Sequence, residues 1–417
     1  MNLIFKNATI IDAGNPFHNR TVDIVVENGI IKQIGKNIAA EGFEAVDLEN
    51  LHISKGWFDS SVSLGEPGYE DRETLANGLD VAAKSGFTDI ALQPNNNPIA
   101  ERQGDIAFLV NKAAGHATSL HPIGALTKGS EGKDMAELFD MKNAGAVAFG
   151  DYNRAISDAN ILKIALQYVQ DFNGLVIACS QDDKIKGKGV VHEGIVSTRL
   201  GLKGIPALAE ELQISRNLFL LEYTGGKMHI PTLSTGKSVQ MVREAKAKGL
   251  NVTCSVSVHH LVLTDEALGD FDTRYKVAPP LRPDAERKLL IDGVLDGTID
   301  MITSDHNPLD IENKKLEFDL AKDGTTGLES AFGALMTLLP LEVIIEKFTA
   351  GKIIFGLGSH DIAEGAEAGF TLFNPSSDWT FAKKDILSKS KNSAFLGQPM
   401  KGKAYGICNN GKLILNV

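Results

Sequence analysis

The chain has 417 residues, of which 43% are hydrophobic and 23% are charged, and its formal net charge at pH 7 is -11. This length allows one large α/β domain with a small appended domain, or two to three ordinary domains. No apolar run approaches the roughly 18 residues of a membrane span, and the acidic balance gives no electrostatic reason to bind nucleic acid or anionic lipid. We therefore expect neither a membrane nor a nucleic acid as a partner.

The amino terminus and the cysteines indicate the compartment. Residues 1–14, MNLIFKNATIIDAG, alternate apolar and polar side chains and lack the basic segment, the long apolar stretch and the cleavage site of a signal peptide. The three cysteines, Cys179, Cys254 and Cys408, are far apart and odd in number, which argues against a disulfide framework. These features predict a cytoplasmic protein.

The first 54 residues form a β-rich segment. Its runs IFKNATIIDAG, VDIVVENGIIKQIG and AVDLENLHISKG are short predicted strands separated by Asn, Gly and Asp turns.

Residues 55–358 repeat one theme, a short β-rich run with a polar end followed by a helical stretch. The apolar spacing of segments such as DRETLANGLDVAAKSG has the period of an amphipathic helix. Eight such units predict a (β/α)8 TIM-type barrel, whose ligand site forms at the carboxyl ends of the strands. The eight runs are GWFDSSVSL, TDIALQP, SLHPIGAL, AVAFGDY, GLVIACS, KMHIPTLS, LNVTCSVSV and IDMITSDHN.

The carboxyl-terminal segment, residues 359–417, has the same strand pattern as the amino terminus. GFTLFNPSS and KAYGICNNGKLILNV alternate apolar and polar residues, and NNG is a hairpin-turn signal. We therefore predict that residues 1–54 and 359–417 together build one small β-sandwich domain beside the barrel.

Several short motifs in a fixed order carry a family resemblance over nearly the whole chain. Together they resemble the amidohydrolase superfamily and, most specifically, the dihydroorotase family. The resemblance implies reversible hydrolysis of the cyclic amide of dihydroorotate at a zinc centre of one or two ions, within pyrimidine synthesis. The motifs are EPG at 66–68, PNNNP at 94–98, QDDK at 181–184, HHL at 259–261, PPLR at 279–282, SDHNP at 304–308 and GTTGLES at 324–330.

The metal positions of this family are changed in the chain. Dihydroorotases carry His-x-His-x-Arg on the first strand, with two metal-binding histidines and an arginine for the substrate carboxylate. The same positions here are Ser61, Ser63 and Gly65. Three further ligand positions of the family correspond to Tyr152, Cys179 and Thr232.

Two neighbouring residues do not restore these ligands. Asp151 lies one residue before the ligand position, and a single step reverses the face of a strand residue. His229 should face outward if Thr232 faces the barrel axis.

Two other site positions match the family. Asp305 corresponds to its general base, and Asn95 corresponds to a substrate contact. On the substrate side, Ala278 and Leu309 stand where the family has an asparagine and a histidine. Both residues have a purely structural alternative. Asp305 is then a hydrogen-bonding residue of the barrel mouth, and Asn95 is a turn residue.

A zinc site needs about three or four converging ligands, and the sequence offers Asp305 with Cys179 as a soft addition. We therefore expect no cofactor, although the family binds zinc. Cys179 is alternatively a small packed side chain or a thiol nucleophile.

The leading hypothesis is a catalytically inactive dihydroorotase homologue with a structural or regulatory role in pyrimidine synthesis. The resemblance implies aspartate transcarbamoylase or an active dihydroorotase paralogue as partner, and a homo-oligomer. One alternative is an active dihydroorotase, or another cyclic amidohydrolase with an atypical site. A third possibility is a small-molecule receptor that uses the emptied barrel mouth.

Overall fold

A computed structural model describes residues 1–39 and 41–416. Its first part is a run of short strands, as the alternating sequence predicts. Asn and Gly residues at the turns let the chain reverse direction, as at Asn28 and Gly29, which both have positive φ. The strands are β1 Asn2–Ile10, β2 Thr21–Glu27, β3 Ile30–Gly35, β4 Glu44–Val46 and β5 His52–Lys55.

The eight predicted strand runs form one parallel sheet in chain order, which confirms the predicted barrel. The sheet closes because the chain after the last strand pairs with the first: the Ser63 amide donates to the His306 carbonyl at 2.7 Å. The barrel strands are β6 Trp57–Val62, β7 Phe87–Leu92, β8 Ser119–Gly124, β9 Ala148–Phe149, β10 Val176–Ile177, β13 Met228–Ile230, β14 Val252–Ser257 and β15 Met301–Thr303; a separate pair consists of β11 Val191–His192 and β12 Gly204–Ile205.

Helices alternate with these strands. The first one begins after Thr74, whose hydroxyl accepts the Asn77 amide, and its buried residues recur at helical spacing. The helices are α1 Leu75–Lys84, α2 Gln103–Ala113, α3 Leu138–Ala144, α4 Ala159–Tyr168, α5 Asp183–Lys186, α6 Ile195–Leu200, α7 Leu208–Thr224, α8 Gly236–Ala247, α9 Val258–Val262, α10 Asp284–Leu295, α11 Ile311–Lys314, α12 Leu328–Leu335, α13 Leu341–Thr349 and α14 Gly351–Ile354.

The terminal strands β16 Phe370–Thr380, β17 Pro399–Asn409 and β18 Lys412–Leu415 join β1 to β5 in a second eight-stranded sheet. The predicted β-sandwich takes the form of this one hydrogen-bonded sheet, in the order β18-β17-β16-β5-β1-β2-β3 with β4 on β1. The domain boundaries at residues 54 and 358 stay predictions.

Two apolar regions hold the barrel together. Outside the strands, Trp57 packs against Phe332 and Phe348 of the surrounding helices, with ring centroids 4.9 and 5.2 Å apart. Inside, six strands each contribute one side chain to a buried cluster that also contains Phe355. The inner cluster includes Phe58, Ala91, Ile123, Ala148, Ile177 and Met301.

Within the described part of the chain, no helix is long and apolar enough to span a membrane.

Candidate functional site

The carboxyl ends of the barrel strands surround a cleft of about 440 Å³, as the barrel topology predicts. Ser61, Ser63 and Asp305 lie buried on the strand ends beside it. Six predicted site residues line the cleft directly: Asn95, Tyr152, Cys179, Thr232, Ala278 and Leu309.

The two serines belong to a buried hydrogen-bond network. The Ser61 hydroxyl donates to Asp305 Oδ1 at 2.9 Å and accepts from Gln93 Nε2 at 3.2 Å. The Ser63 hydroxyl accepts from Asn95 Nδ2 at 3.0 Å. Two side-chain amides from the segment that follows β7 therefore fix the hydroxyl of Ser61, at the end of β6, and that of Ser63, just after it. The sequence analysis missed Gln93, although its place at the end of the run TDIALQP was a usable signal.

Asp305 is the carboxyl group that the Ser61 hydroxyl contacts. Burial raises its pKa to about 7, and the nearby charge of Asp59 adds to the effect, while the Ser61 hydrogen bond opposes it. Asp59 is itself buried and accepts the Ser61 and Ser304 amides at 3.0 and 2.8 Å. Burial thus keeps the Asp305 carboxyl protonated to a higher pH than an ordinary aspartate.

Tyr152 and Cys179 are not ionised at neutral pH. Burial raises the pKa of the Tyr152 hydroxyl above its ordinary value, and the charge of Asp305 raises it further. Burial also raises the pKa of the Cys179 thiol to about 12. Because the thiolate is the nucleophile and the metal ligand, this environment disfavours both reactive roles considered for Cys179.

Asp151 points away from the cleft, as the one-residue offset predicts. Its carboxylate accepts the Leu126 and Thr127 amides at 2.9 and 3.0 Å and holds the loop after β8.

The expectation that His229 faces outward is wrong. Its ring packs against Phe355, which belongs to the inner cluster of the barrel, with centroids 5.9 Å apart. Its two nitrogens contact the Thr253 and Ser255 hydroxyls at 2.9 and 3.1 Å. The alternation argument fails because Thr232 has a φ of +47°, so the strand pattern has ended before it. His229 lies deeper than the mouth, below Thr232.

Gly65 lies outside the cleft, in the turn after β6. A Cβ atom there would meet the Tyr69 carbonyl oxygen at 1.8 Å and the Glu73 carbonyl oxygen at 2.8 Å. The turn therefore closes on this position, and the present backbone has no room for the arginine that the family places there. The catalytic, substrate and metal roles assigned to the individual site residues stay predictions.

The side chains at the mouth do not fit a zinc ion. Zinc prefers Cys thiolate, His nitrogen and carboxylate ligands. Here the positions carry two hydroxyls that are already hydrogen bonded, a buried phenol, a protonated thiol and a threonine. In residues 1–39 and 41–416, no three His, Cys, Asp or Glu side chains come together as a possible metal site.

Two solved structures with this architecture are hydantoinases. The L-hydantoinase (dihydropyrimidinase) from Arthrobacter aurescens superposes with a TM-score of 0.85 at 19% identity, over 100% of this chain and 96% of that one. A D-hydantoinase from Thermus sp. gives 0.81 at 21% identity, over 99% and 95%. At these identities the likeness shows the fold, a (β/α)8 barrel with a β domain.

Sequence comparison narrows this class to a family. A dihydroorotase of Pelotomaculum thermopropionicum is 38% identical, over 100% of this chain and 99% of its own length. A dihydroorotase of Geotalea daltonii is 36% identical over 99% of each chain. The family model described as dihydro-orotase-like matches residues 52–238. The chain belongs to the dihydroorotase family.

Membership corrects the expectation that no cofactor is involved. The relatives are dihydroorotases over their whole length and the structural neighbours are hydantoinases, and zinc is the cofactor that the family resemblance implies. The expectation of no cofactor is therefore wrong, because it was drawn from single side chains and the family as a whole uses metal. The family uses zinc, whereas the side chains at this barrel mouth do not fit a zinc ion.

Proposed function

We propose that the chain is a dihydroorotase-family protein that does not turn over dihydroorotate and has a structural or regulatory role in pyrimidine synthesis. One observation carries the proposal. Ser61, which stands at a ligand position of the family, is bonded to Asp305, the family's general base. The residue that matches the family's general base therefore accepts a hydrogen bond here from a hydroxyl that stands at a ligand position.

The magnitudes support the loss of turnover. Metal binding lowers the pKa of water from about 15.7 to about 7, which is worth up to about 12 kcal/mol of nucleophile activation. A positioned general base supplies a rate factor of about 10² to 10⁴, or about 3–5 kcal/mol. If the altered ligand positions do not activate a metal-bound water, Asp305 acting as a base cannot make up that difference.

A second candidate is an active dihydroorotase, or another cyclic amidohydrolase, with an atypical site. It is favoured by the 35–38% identity to proteins named dihydroorotase over the full chain. In this candidate Asp305, with a pKa of about 7, is suited to proton transfer at neutral pH.

Turnover in both directions separates the two candidates. The full chain, purified without chelators, is assayed with dihydroorotate, with carbamoyl aspartate and with a panel of cyclic amides, beside the Geotalea daltonii dihydroorotase. We expect a rate at least about 10⁴-fold below that relative, unchanged by Asp305→Ala. A rate within tenfold of the relative that Asp305→Ala abolishes would establish the second candidate. Elemental analysis then identifies the metal that accompanies it.

We propose aspartate transcarbamoylase or an active dihydroorotase paralogue as partner, and a homo-oligomer as the assembled state. An apolar stripe on α7 supports a protein contact, since Leu212, Phe219 and Tyr223 are 48%, 69% and 76% exposed. Affinity purification from a lysate of the source, compared with a Phe219→Ser variant, tests the contact. Elution of the chain alone and as a monomer contradicts the proposal.

We also propose a cytoplasmic location. The three unpaired cysteines agree with it.

A further inference from the structure

A second cleft lies between the turn after β6, the segment after β7 and helix α2. Its volume is about 330 Å³, which falls within the range of about 300–1,000 Å³ of small-molecule sites. It shares no lining residue with the cleft at the barrel mouth. Because different side chains build its walls, this second cleft can select a ligand of its own.

The walls of the second cleft are mostly apolar. Phe108 contributes an aromatic ring that is 44% exposed, and it lies outside the buried face of α2. Aromatic rings pair favourably with other flat rings, either offset and stacked or edge to face. The apolar walls therefore suit a flat, apolar ligand. The apolar lining residues are Pro67, Pro98, Ala100, Phe108 and Leu109.

Two polar side chains, Asn96 and Asp105, interrupt these walls. Asn96 is only 3% exposed; its Nδ2 donates to the Glu66 carbonyl, while its Oδ1 has no hydrogen-bond partner within residues 1–39 and 41–416. Asp105 Oδ2 accepts the Glu101 and Arg102 amides at 3.2 and 3.1 Å. Its Oδ1 accepts no hydrogen bond from the part of the chain that the structure describes. Both side chains thus have an oxygen that a ligand with a donor would satisfy.

We propose that this second cleft binds a small planar aromatic molecule that carries an N–H donor and is neutral or cationic. The Phe108 ring and the apolar walls match the flat ring, and the free oxygens of Asn96 and Asp105 match the donor on its edge. An anion is disfavoured, because the Asp105 carboxylate would repel it. The inference goes beyond the proposed function and holds whether or not the chain turns over dihydroorotate.

A ligand-observed NMR titration of the full chain tests the proposal. The probes are indole, its cationic derivative tryptamine, its anionic derivative indole-3-acetate, and benzofuran, which has the shape of indole with an acceptor in place of the N–H donor. We expect saturable binding of indole and tryptamine with Kd below about 1 mM. Benzofuran and indole-3-acetate should bind at least about tenfold more weakly. The comparison of indole with benzofuran needs no variant, so it does not depend on how a substitution affects folding.

Two variants on α2 locate the binding. Phe108→Ala should weaken the binding of indole about tenfold, because it removes the aromatic wall. Val110→Ala changes another exposed side chain of the same helix that does not line the cleft, and it should leave the affinity unchanged. The proposal is overturned if indole and tryptamine do not bind, if benzofuran or indole-3-acetate binds as tightly as indole, or if the two variants have equal affinities. A turnover assay has no bearing on these outcomes, so the two proposals fail separately.

Discussion

Ser61 shows why hydroxyls suit the positions where the family has metal ligands. A hydroxyl donates and accepts at once, and Ser61 does both, between the Gln93 amide and the Asp305 carboxyl. Ser63 accepts from Asn95 in the same manner. A buried polar group is costly unless it has a partner, and these bonds provide one for each serine hydroxyl. The carbonyl oxygens of the Gln93 and Asn95 side chains are buried and have no hydrogen-bond partner among the described residues.

The Asp305→Asn variant should be more stable than the parent chain above pH 7. The carboxyl has a folded pKa of about 7 against an ordinary value of 3.8. Between pH 3.8 and pH 7 the native state therefore binds more protons than the unfolded state. Its contribution to stability is therefore present below pH 3.8 and is lost as the pH rises to 7. Removing the group should raise the unfolding free energy at pH 8 by up to about 4 kcal/mol.

Urea unfolding at pH 8 and pH 4.5 measures this difference. At pH 4.5 the advantage of the variant should fall to about 1 kcal/mol, which serves as the internal control. A loss of stability at pH 8 on Asp305→Asn would contradict the prediction and would instead indicate that the carboxylate holds a cation.

At the scale of elements, the sequence predicts much of the fold and less of the site. All eight strand runs were placed correctly, because buried parallel strands leave a clear apolar signature between helical segments. The directions of the side chains at the barrel mouth were harder to predict. Tyr152, Thr232 and Asp305 all have positive φ, at +53°, +47° and +48°. Alternation stops at such residues, and a sequence pattern does not reveal where.

The turn at Gly65 yields a prediction about restoring the family's arginine. Gly65→Arg should destabilise the protein by about 3 kcal/mol or more, because its Cβ would approach the Tyr69 carbonyl oxygen to 1.8 Å. The variant should not gain turnover. Gly104→Arg on α2, where a new Cβ meets no atom within 4 Å, is the matched control and should stay close to the parent in thermal unfolding. Equal melting temperatures of the two variants would show that the turn is adaptable.

For the whole molecule, the junction between barrel and terminal sheet links two regions that the sequence separates by hundreds of residues. The Trp57 amide at the start of β6 donates to the Thr371 hydroxyl of β16 at 3.2 Å, and that hydroxyl donates to the Gly86 carbonyl at 2.6 Å. The repeated strand pattern predicts that the termini meet. These cross-links were not predictable, because a single polar side chain in a strand does not identify its distant partner.

The junction predicts that the barrel and the terminal sheet unfold together. On β17, the buried Asn409 amide donates to the Thr88 and Ala117 carbonyls, at 3.2 and 2.8 Å, where two barrel strands begin. Asn409→Leu leaves both carbonyls without that donor, so we expect a loss of about 2–4 kcal/mol. Asn251→Leu, at an exposed side chain, is the control.

Fluorescence reports each part separately, because the chain has two tryptophans, Trp57 in the barrel and Trp379 in the terminal sheet. Single Trp→Phe variants leave one reporter at a time. Asn409→Leu should shift both denaturation curves to lower urea by the same amount, since coincident transitions are the mark of one cooperative unit. If the Trp379 curve moves and the Trp57 curve does not, the terminal sheet unfolds independently and the barrel is stable without it.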